Sequence, residues 1–238
     1  MSAARLKEPI IPEDPAVRRA LMNHLKDFVS ENKLKRFDDV LPNRTRHVTV
    51  VVEDIYQPHN ASAVVRSCDL FGIQDMHVIE NRNHYTLSSG VSVGASKWVT
   101  LHRWNQRGED NTNRCLGELK AKGYRIVATT PHDNDVLLPD LPVEHPLALV
   151  FGNEETGLSR RTTELADEFV KIPMVGFTES FNISVSVALA LYDVMHRLWR
   201  SEVNWRITEP ERDELRLVWM QKALNRFPAL VKDFLEKG

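Results

Sequence analysis

Three short stretches place polar side chains where an apolar core is expected. The first is Pro58-His59-Asn60-Ala61-Ser62-Ala63-Val64-Val65-Arg66-Ser67. The second is Leu149-Val150-Phe151-Gly152-Asn153-Glu154-Glu155-Thr156-Gly157-Leu158-Ser159. The third runs Ile172-Pro173-Met174-Val175-Gly176 and continues to Ser186, with Ser180, Asn182, Ser184 and Ser186 alternating with Phe181, Ile183 and Val185. Read alone, Asn60 and Arg66 are as readily a helix cap and a solvated cation as parts of a site. An apolar strand that empties into Gly152, Asn153 and Glu154 asks for more, because a simple turn uses fewer polar groups. Helix capping likewise explains one or two of the four alternating polar side chains, not all of them. Amides, hydroxyls and abundant loop backbone suit the grip of a flat, uncharged heterocycle.

The elements around these stretches decide whether they can meet. Pro15–Val29 predicts a helix after Asp14, and a basic stretch with Lys33, Lys35, Arg36, Arg44 and Arg46 follows it. His47–Ile55, Met76–Glu80, Trp98–Leu101, Tyr124–Thr130, Leu147–Phe151 and Phe169–Ile172 predict strands rich in β-branched or apolar residues. Asn60–Phe71, Thr112–Lys122, Thr162–Asp167 and Ile183–Trp199 predict helices, and Asp213–Leu235 a single last one. Strands alternating with helices imply an α/β fold, with a mostly parallel sheet covered on both faces. All three polar stretches then follow strands, at the carboxyl edge where open sheets of this kind hold ligands.

Several chemistries are excluded by what is missing. No two of the ten glycines form a G-x-G pair, so the dinucleotide-binding fingerprint is absent. Gly152 to Ser159 has the glycine spacing of a phosphate loop, but Leu158 stands where the phosphate-binding lysine belongs. Nine histidines form no H-E-x-x-H, and Cys68 and Cys115 are too few for a thiolate zinc site, so no metal is expected. No apolar run approaches a membrane span, and Met1–Pro12 lacks the apolar core of a leader, so a cytoplasmic setting without membrane contact is expected. The formal net charge of −2 conceals a distribution: residues 1–46 carry +3, residues 47–196 carry −7 and residues 197–238 carry +2.

Taken together, the three stretches resemble the motifs of the SpoU/TrmH branch of the SPOUT methyltransferases, which methylate RNA ribose 2′-oxygens. N-x-x-A-x-x-R resembles Asn60, Ala63 and Arg66; G-x-E-x-x-G resembles Gly152, Glu154 and Gly157; the I-P-M-x-G and S-x-N-x-S pair resembles Ile172 to Gly176 and Ser180 to Ser184. The resemblance spans about Arg46 to Trp199 and implies a SPOUT core over 46–200, with a deep trefoil knot in its C-terminal third. Helical extensions over 1–45 and 201–238 flank it, the first of them contacting RNA. It also implies a homodimer packed through Ile183–Trp199, a helix apolar nearly all round. The terminal extensions and the Pro58-His59-Asn60 opening look most like the members that act on guanosine 18 of the tRNA D-loop. Ribosomal RNA, another tRNA position, a non-catalytic RNA-binding protein and a small-molecule enzyme are the competing readings.

The implied reaction is methyl transfer from S-adenosylmethionine to a ribose hydroxyl of tRNA. The resemblance gives the central role to Arg66, with Asn60 and Glu154 steadying Arg66, its helix or the ribose, and Ser180 and Asn182 bonding substrate near the methyl. A guanidinium keeps its proton too firmly to serve as a base, so phosphate binding and stabilisation of the developing alkoxide suit Arg66 better than proton removal. The cofactor is expected at Thr129, Gly152, Ile172 and Phe181, largely through backbone. For RNA phosphates the flanks offer Arg18, Arg19, Lys33, Lys35, Arg36, Arg44 and Arg46, with Arg206, Arg212 and Arg216 at the far end.

Overall fold

Asp14 starts the first helix, α1 (Pro15–Lys26), its carboxylate accepting the Ala16 amide at 2.7 Å beside a proline that needs no partner there. In this computed structural model, which describes residues 9–87, 94–130 and 136–237, the order then runs α2 (Glu31–Val40), β1 (Val48–Glu53), α3 (Pro58–Leu70), β2 (Asp75–Ile79) and β3 (Thr100–Trp104). It continues with α4 (Asn111–Ala121), β4 (Arg125–Thr129), β5 (Val136–Leu137), β6 (Leu147–Phe151), α5 (Arg160–Leu165) and β7 (Glu168–Lys171). The last helices are α6 (Ile183–Leu198), α7 (Glu209–Ala223) and α8 (Phe227–Lys237). Of the opening segment considered for a leader, residues 1–8 lie outside the described residues.

Among the described residues seven strands form one sheet in the order β3-β2-β1-β6-β4-β7-β5, and every pairing between them is parallel. Every residue of β1 is buried, as expected of a parallel strand covered on both sides. The two-residue side-chain period divides them: Val48, Val50 and Val52 pack with Val64, Val65 and Cys68 of α3 and Val187, Leu191 and Val194 of α6. Val51 points the other way, into a cluster with Cys115, Leu116 and Leu119 of α4. From β1 the chain steps outward to β2 and β3, whereas β6 inserts between β1 and β4. The order therefore reverses beside β1, and the carboxyl ends of β1, β6 and β4 open a crevice there.

The chain divides into two compact units, Thr45–Arg206 and a second built from Met1–Arg44 together with Ile207–Gly238. The two flanking segments thus share one unit. Within it α1 packs on α7 and α8, and the Gln221 side chain exchanges hydrogen bonds of 2.8 and 2.7 Å with the Ile10 backbone. Two expectations change here. The single helix over Asp213–Leu235 is two helices, because Pro228 in a continuous helix would clash with the carbonyl of Leu224 and leave a turn unbonded. Arg44 is 1% exposed, with its guanidinium 5.1 Å over the ring of Trp219. It holds this unit together and has no surface to offer a phosphate.

Candidate active site

The loop after β6 is shaped by its glycines. A Cβ on Gly152 would lie 2.3 Å from the carbonyl carbon of Gly157 and 2.4 Å from the amide nitrogen of Leu158, so only glycine lets the loop close on itself. Asn153 and Gly157 exchange backbone hydrogen bonds of 2.9 Å in both directions, and Gly157 takes φ +68°. The Asn153 side chain accepts the Glu155 and Thr156 amides at 2.8 and 3.2 Å. Glu154 thereby projects from a fixed turn.

Glu154 Oε1 accepts from Asn60 Nδ2 at 2.6 Å, and Asn60 Oδ1 accepts from Asn182 Nδ2 at 3.2 Å. One side chain from each of the three polar stretches thus joins a single hydrogen-bonded row. Asn60 is not the cap of α3, a position held by Gln57; it sits in the first turn, 3% exposed and turned inward. Asn182 is the cap of α6, its oxygen accepting from the Ser184 amide at 2.9 Å and the Ser184 hydroxyl at 2.6 Å, which leaves its amide nitrogen for Asn60. Glu154 Oε2 is buried without a partner among the described residues. A buried carboxylate oxygen left unpaired is costly and marks a place for an incoming donor.

Beside this row lies a cavity of about 270 Å³, whose walls include Thr129, Gly152, Glu154, Leu158, Ile172, Met174, Ser180 and Phe181. The four residues expected at the cofactor all line it, as do Glu154 and Ser180. The wall is loop backbone and apolar side chain with Glu154 and Ser180 as polar members, a lining that fits a flat heterocycle. Among the described residues no group of acidic, cysteine and histidine side chains could hold a metal ion.

Arg66 stands apart. It is exposed on α3, forms no hydrogen bond or ion pair among the described residues, and is not part of the cavity wall of its own chain. Six positions beyond Asn60, it has turned about a third of a revolution away from the inward face. Of the flanking cations, Arg18 is paired with Glu214, and Arg46 Nε lies 2.8 Å from Asp75 Oδ2. Arg212 and Arg216 pair with Glu209 and Asp38, both at 2.5 Å, and Arg206 stacks 4.2 Å over Trp205. Arg19, Lys33, Lys35 and Arg36 remain exposed.

Two structural carboxylates escaped the sequence reading. Glu53 is 2% exposed and accepts from the Thr112, Ser159 and Thr162 hydroxyls and the Ser159 amide, at 2.7 to 2.9 Å. Asp54 follows it at φ 51°, the sole non-glycine with positive φ among the described residues. Two acids in succession at the end of an apolar strand were the available signal.

Fold and site define an α/β domain with a cavity walled by loop backbone and apolar side chains, next to a row of amide and carboxylate groups. The model of the SpoU rRNA methylase family matches residues 47–192, and the chain belongs to that family of methyltransferases. It is 38% identical, over 85% of its length and 91% of the relative's, to a tRNA (guanosine(18)-2′-O)-methyltransferase of Borreliella burgdorferi. The crystal structure of a TrmH/SpoU tRNA modifying enzyme from A. aeolicus superposes with a TM-score of 0.73 at 29% identity, covering 82% of this chain and 98% of that one. The methyltransferase AviRb of Streptomyces viridochromogenes, solved with AdoMet, shares the fold at 24% identity and a TM-score of 0.54, over 69% of this chain and 62% of its own.

Proposed function

We propose that the protein methylates the ribose 2′-oxygen of guanosine 18 in the D-loop of tRNA, with S-adenosylmethionine as donor. The observation that carries this reading is the row Glu154–Asn60–Asn182 beside the cavity, which unites three separate stretches at one crevice. The tRNA and its position come from the named activity of the relative from Borreliella, which matches over most of both chains. When bound, S-adenosylmethionine supplies a methyl group already activated by its sulfonium charge. The protein's share is orientation and charge. Loop backbone at Thr129, Gly152, Ile172 and Phe181 holds the flat part of the donor, and Glu154, which also lines the cavity, steadies Asn60 beside it. Ser180 and Asn182 border the point of transfer.

Arg66 acts from a second copy of the chain. α6 buries Val187, Leu191 and Val194 but leaves Val185, Leu189 and Tyr192 exposed as a stripe at helical spacing. That stripe is what a symmetric homodimer would cover, and Arg66 of the partner subunit then supplies the guanidinium the cavity lacks, binding phosphate and steadying the negative charge that develops on the ribose oxygen as its proton passes to water. In the sheet, β6 enters between β1 and β4, both laid down earlier in the chain, an order that supports a threaded, knotted path through the C-terminal third of the core. The flanking unit contacts tRNA through Arg19, Lys33, Lys35 and Arg36, which are exposed and engaged in no ion pair among the described residues. The enzyme works in the cytoplasm, where its two buried thiols stay reduced.

The test uses purified protein, methyl-labelled S-adenosylmethionine and a full-length tRNA transcript. Label should enter a transcript with guanosine at position 18 and fail to enter one carrying 2′-deoxyguanosine there. Equal labelling of both would overturn the assignment.

A further inference from the structure

Asp54 sits in none of the three polar stretches, yet it touches the loops on both sides of it. Its Oδ1 accepts three successive backbone amides, from Asn81 at 2.7 Å, Arg82 at 2.8 Å and Asn83 at 3.2 Å. Its own carbonyl oxygen accepts from two side chains, Asn83 Nδ2 at 2.8 Å and Asn153 Nδ2 at 2.7 Å. The backbone achieves this by taking φ 51°, a left-handed conformation that disfavours most side chains and is tolerated best by glycine, asparagine and aspartate. A residue held there against its intrinsic preference has been over-determined by its neighbours.

The Asn153 side chain continues the connection. While its nitrogen holds the Asp54 carbonyl, its oxygen takes the Glu155 and Thr156 amides, so the turn presenting Glu154 is tied to Asp54 through one amide group. Gly152, Asn153 and Glu154 all line the cavity. Without this tie the loop would keep its internal bonds, the Glu154–Asn60 bond and the Ser159–Glu53 bonds, but Asn153 would lose its hold on the Asp54 carbonyl.

We infer that Asp54 and Asn153 are positioning residues for the donor pocket, anchoring the Gly152–Gly157 loop so that its backbone and Glu154 stand ready before the donor arrives. This rests on the S-adenosylmethionine reading above. The carboxylate clamps the 81–83 segment, the left-handed turn aims the Asp54 carbonyl, and Asn153 transmits that aim to the loop. Asp54 lies outside the cavity wall and acts on it only through Asn153, which is part of that wall.

Two substitutions separate the parts. Asn153→Asp keeps an oxygen that accepts the two turn amides and replaces the nitrogen that holds Asp54 with an oxygen that its carbonyl repels. Asp54→Gly keeps the left-handed backbone easy and removes the clamp. Asp54→Asn keeps both an acceptor oxygen and a tolerance for positive φ. In the apo protein, amide exchange at residues 153–157 should quicken about tenfold in Asn153→Asp and Asp54→Gly, with exchange in β1 and β6 unchanged. The Kd for S-adenosylmethionine should rise about tenfold in both while KM for tRNA stays within about twofold, and Asp54→Asn should restore both readouts to within about threefold of the wild type. Wild-type exchange and affinity in Asn153→Asp, or an Asp54→Asn protein as impaired as Asp54→Gly, would overturn the inference. A wild-type protein that binds no S-adenosylmethionine would instead overturn the donor assignment, and the exchange measurement on the apo chain would still decide whether Asp54 anchors the loop.

Discussion

Gly152 is the residue whose replacement has the most confined consequence. Its missing side chain is occupied by the backbone of Gly157 and Leu158, at separations no real Cβ tolerates, and backbone cannot swing aside as a flexible side chain can. Gly152→Ala must therefore open the loop and displace the wall that Gly152 and Glu154 give to the cavity. We expect at least a tenfold loss of S-adenosylmethionine affinity, or about 1.4 kcal/mol, in a protein with unchanged far-ultraviolet dichroism. Titration calorimetry checks it, and unaltered affinity would mean that the loop is not part of the donor site. At this scale the sequence was informative where a residue type is unusual for its place: Gly152, Glu154, Asn60 and Asn182 stood out as polar or small in apolar surroundings, and the structure brings the last three into hydrogen-bonded contact. Arg44 was misleading because nothing in a sequence distinguishes a cation facing water from one lying over a tryptophan far along the chain.

Elements set the environment of titrating groups, and β2 and β3 give the clearest case. His77 of β2 pairs in register with His102 of β3, and their rings stack 4.5 Å apart. Burial, and next the neighbouring His102, lower the His77 pKa from 6.5 to about 4, with the nearby Asp75 and Glu118 opposing and Lys122 assisting more weakly. Its Nδ1 is also committed as acceptor, at 3.2 Å, to the indole N–H of Trp104. The native state therefore keeps His77 neutral while the unfolded chain takes up a proton below pH 6.5. Stability should fall as pH drops from 6.5 to about 4 and then level off for this group, a loss of about 3 kcal/mol. Asp75 behaves differently: burial alone would raise its pKa, but the hydrogen bond from His102 and the charge of Arg46 outweigh it and hold the carboxyl below 3.8. Its contribution is kept above that value and lost as pH falls through its native pKa, so the two windows do not overlap. Urea unfolding followed by tryptophan fluorescence should show the loss between pH 6.5 and 4 in the wild type and a flatter profile in His77→Gln, which retains an acceptor for Trp104; matching profiles would show that His77 is not the group responsible.

The fold of the whole chain was legible as far as local pattern reaches. Buried runs such as Val48–Val52 and Leu147–Phe151 announce strands covered on both faces, and their alternation with amphipathic helices announces a parallel sheet. Local pattern says nothing of which strand lies beside which, so the insertion of β6 between β1 and β4 and the union of the two ends in one unit had to come from long-range packing. The same limit applies to Arg66, whose spacing from Asn60 is that of the family motif although the helix turns it away from the cavity of its own chain. If Arg66 serves the partner subunit's cavity while Asn60 serves its own, the two defects are separable between chains. Arg66→Ala and Asn60→Ala homodimers should each be inactive, with cofactor affinity in Arg66→Ala near that of the wild type. Unfolding and refolding an equal mixture makes half the dimers mixed, and one site in each mixed dimer pairs an intact Asn60 cavity with an intact Arg66. Activity should then return to about a quarter of the wild-type rate. Were both residues to act within one chain, every site in the mixture would carry a defect and no activity would return.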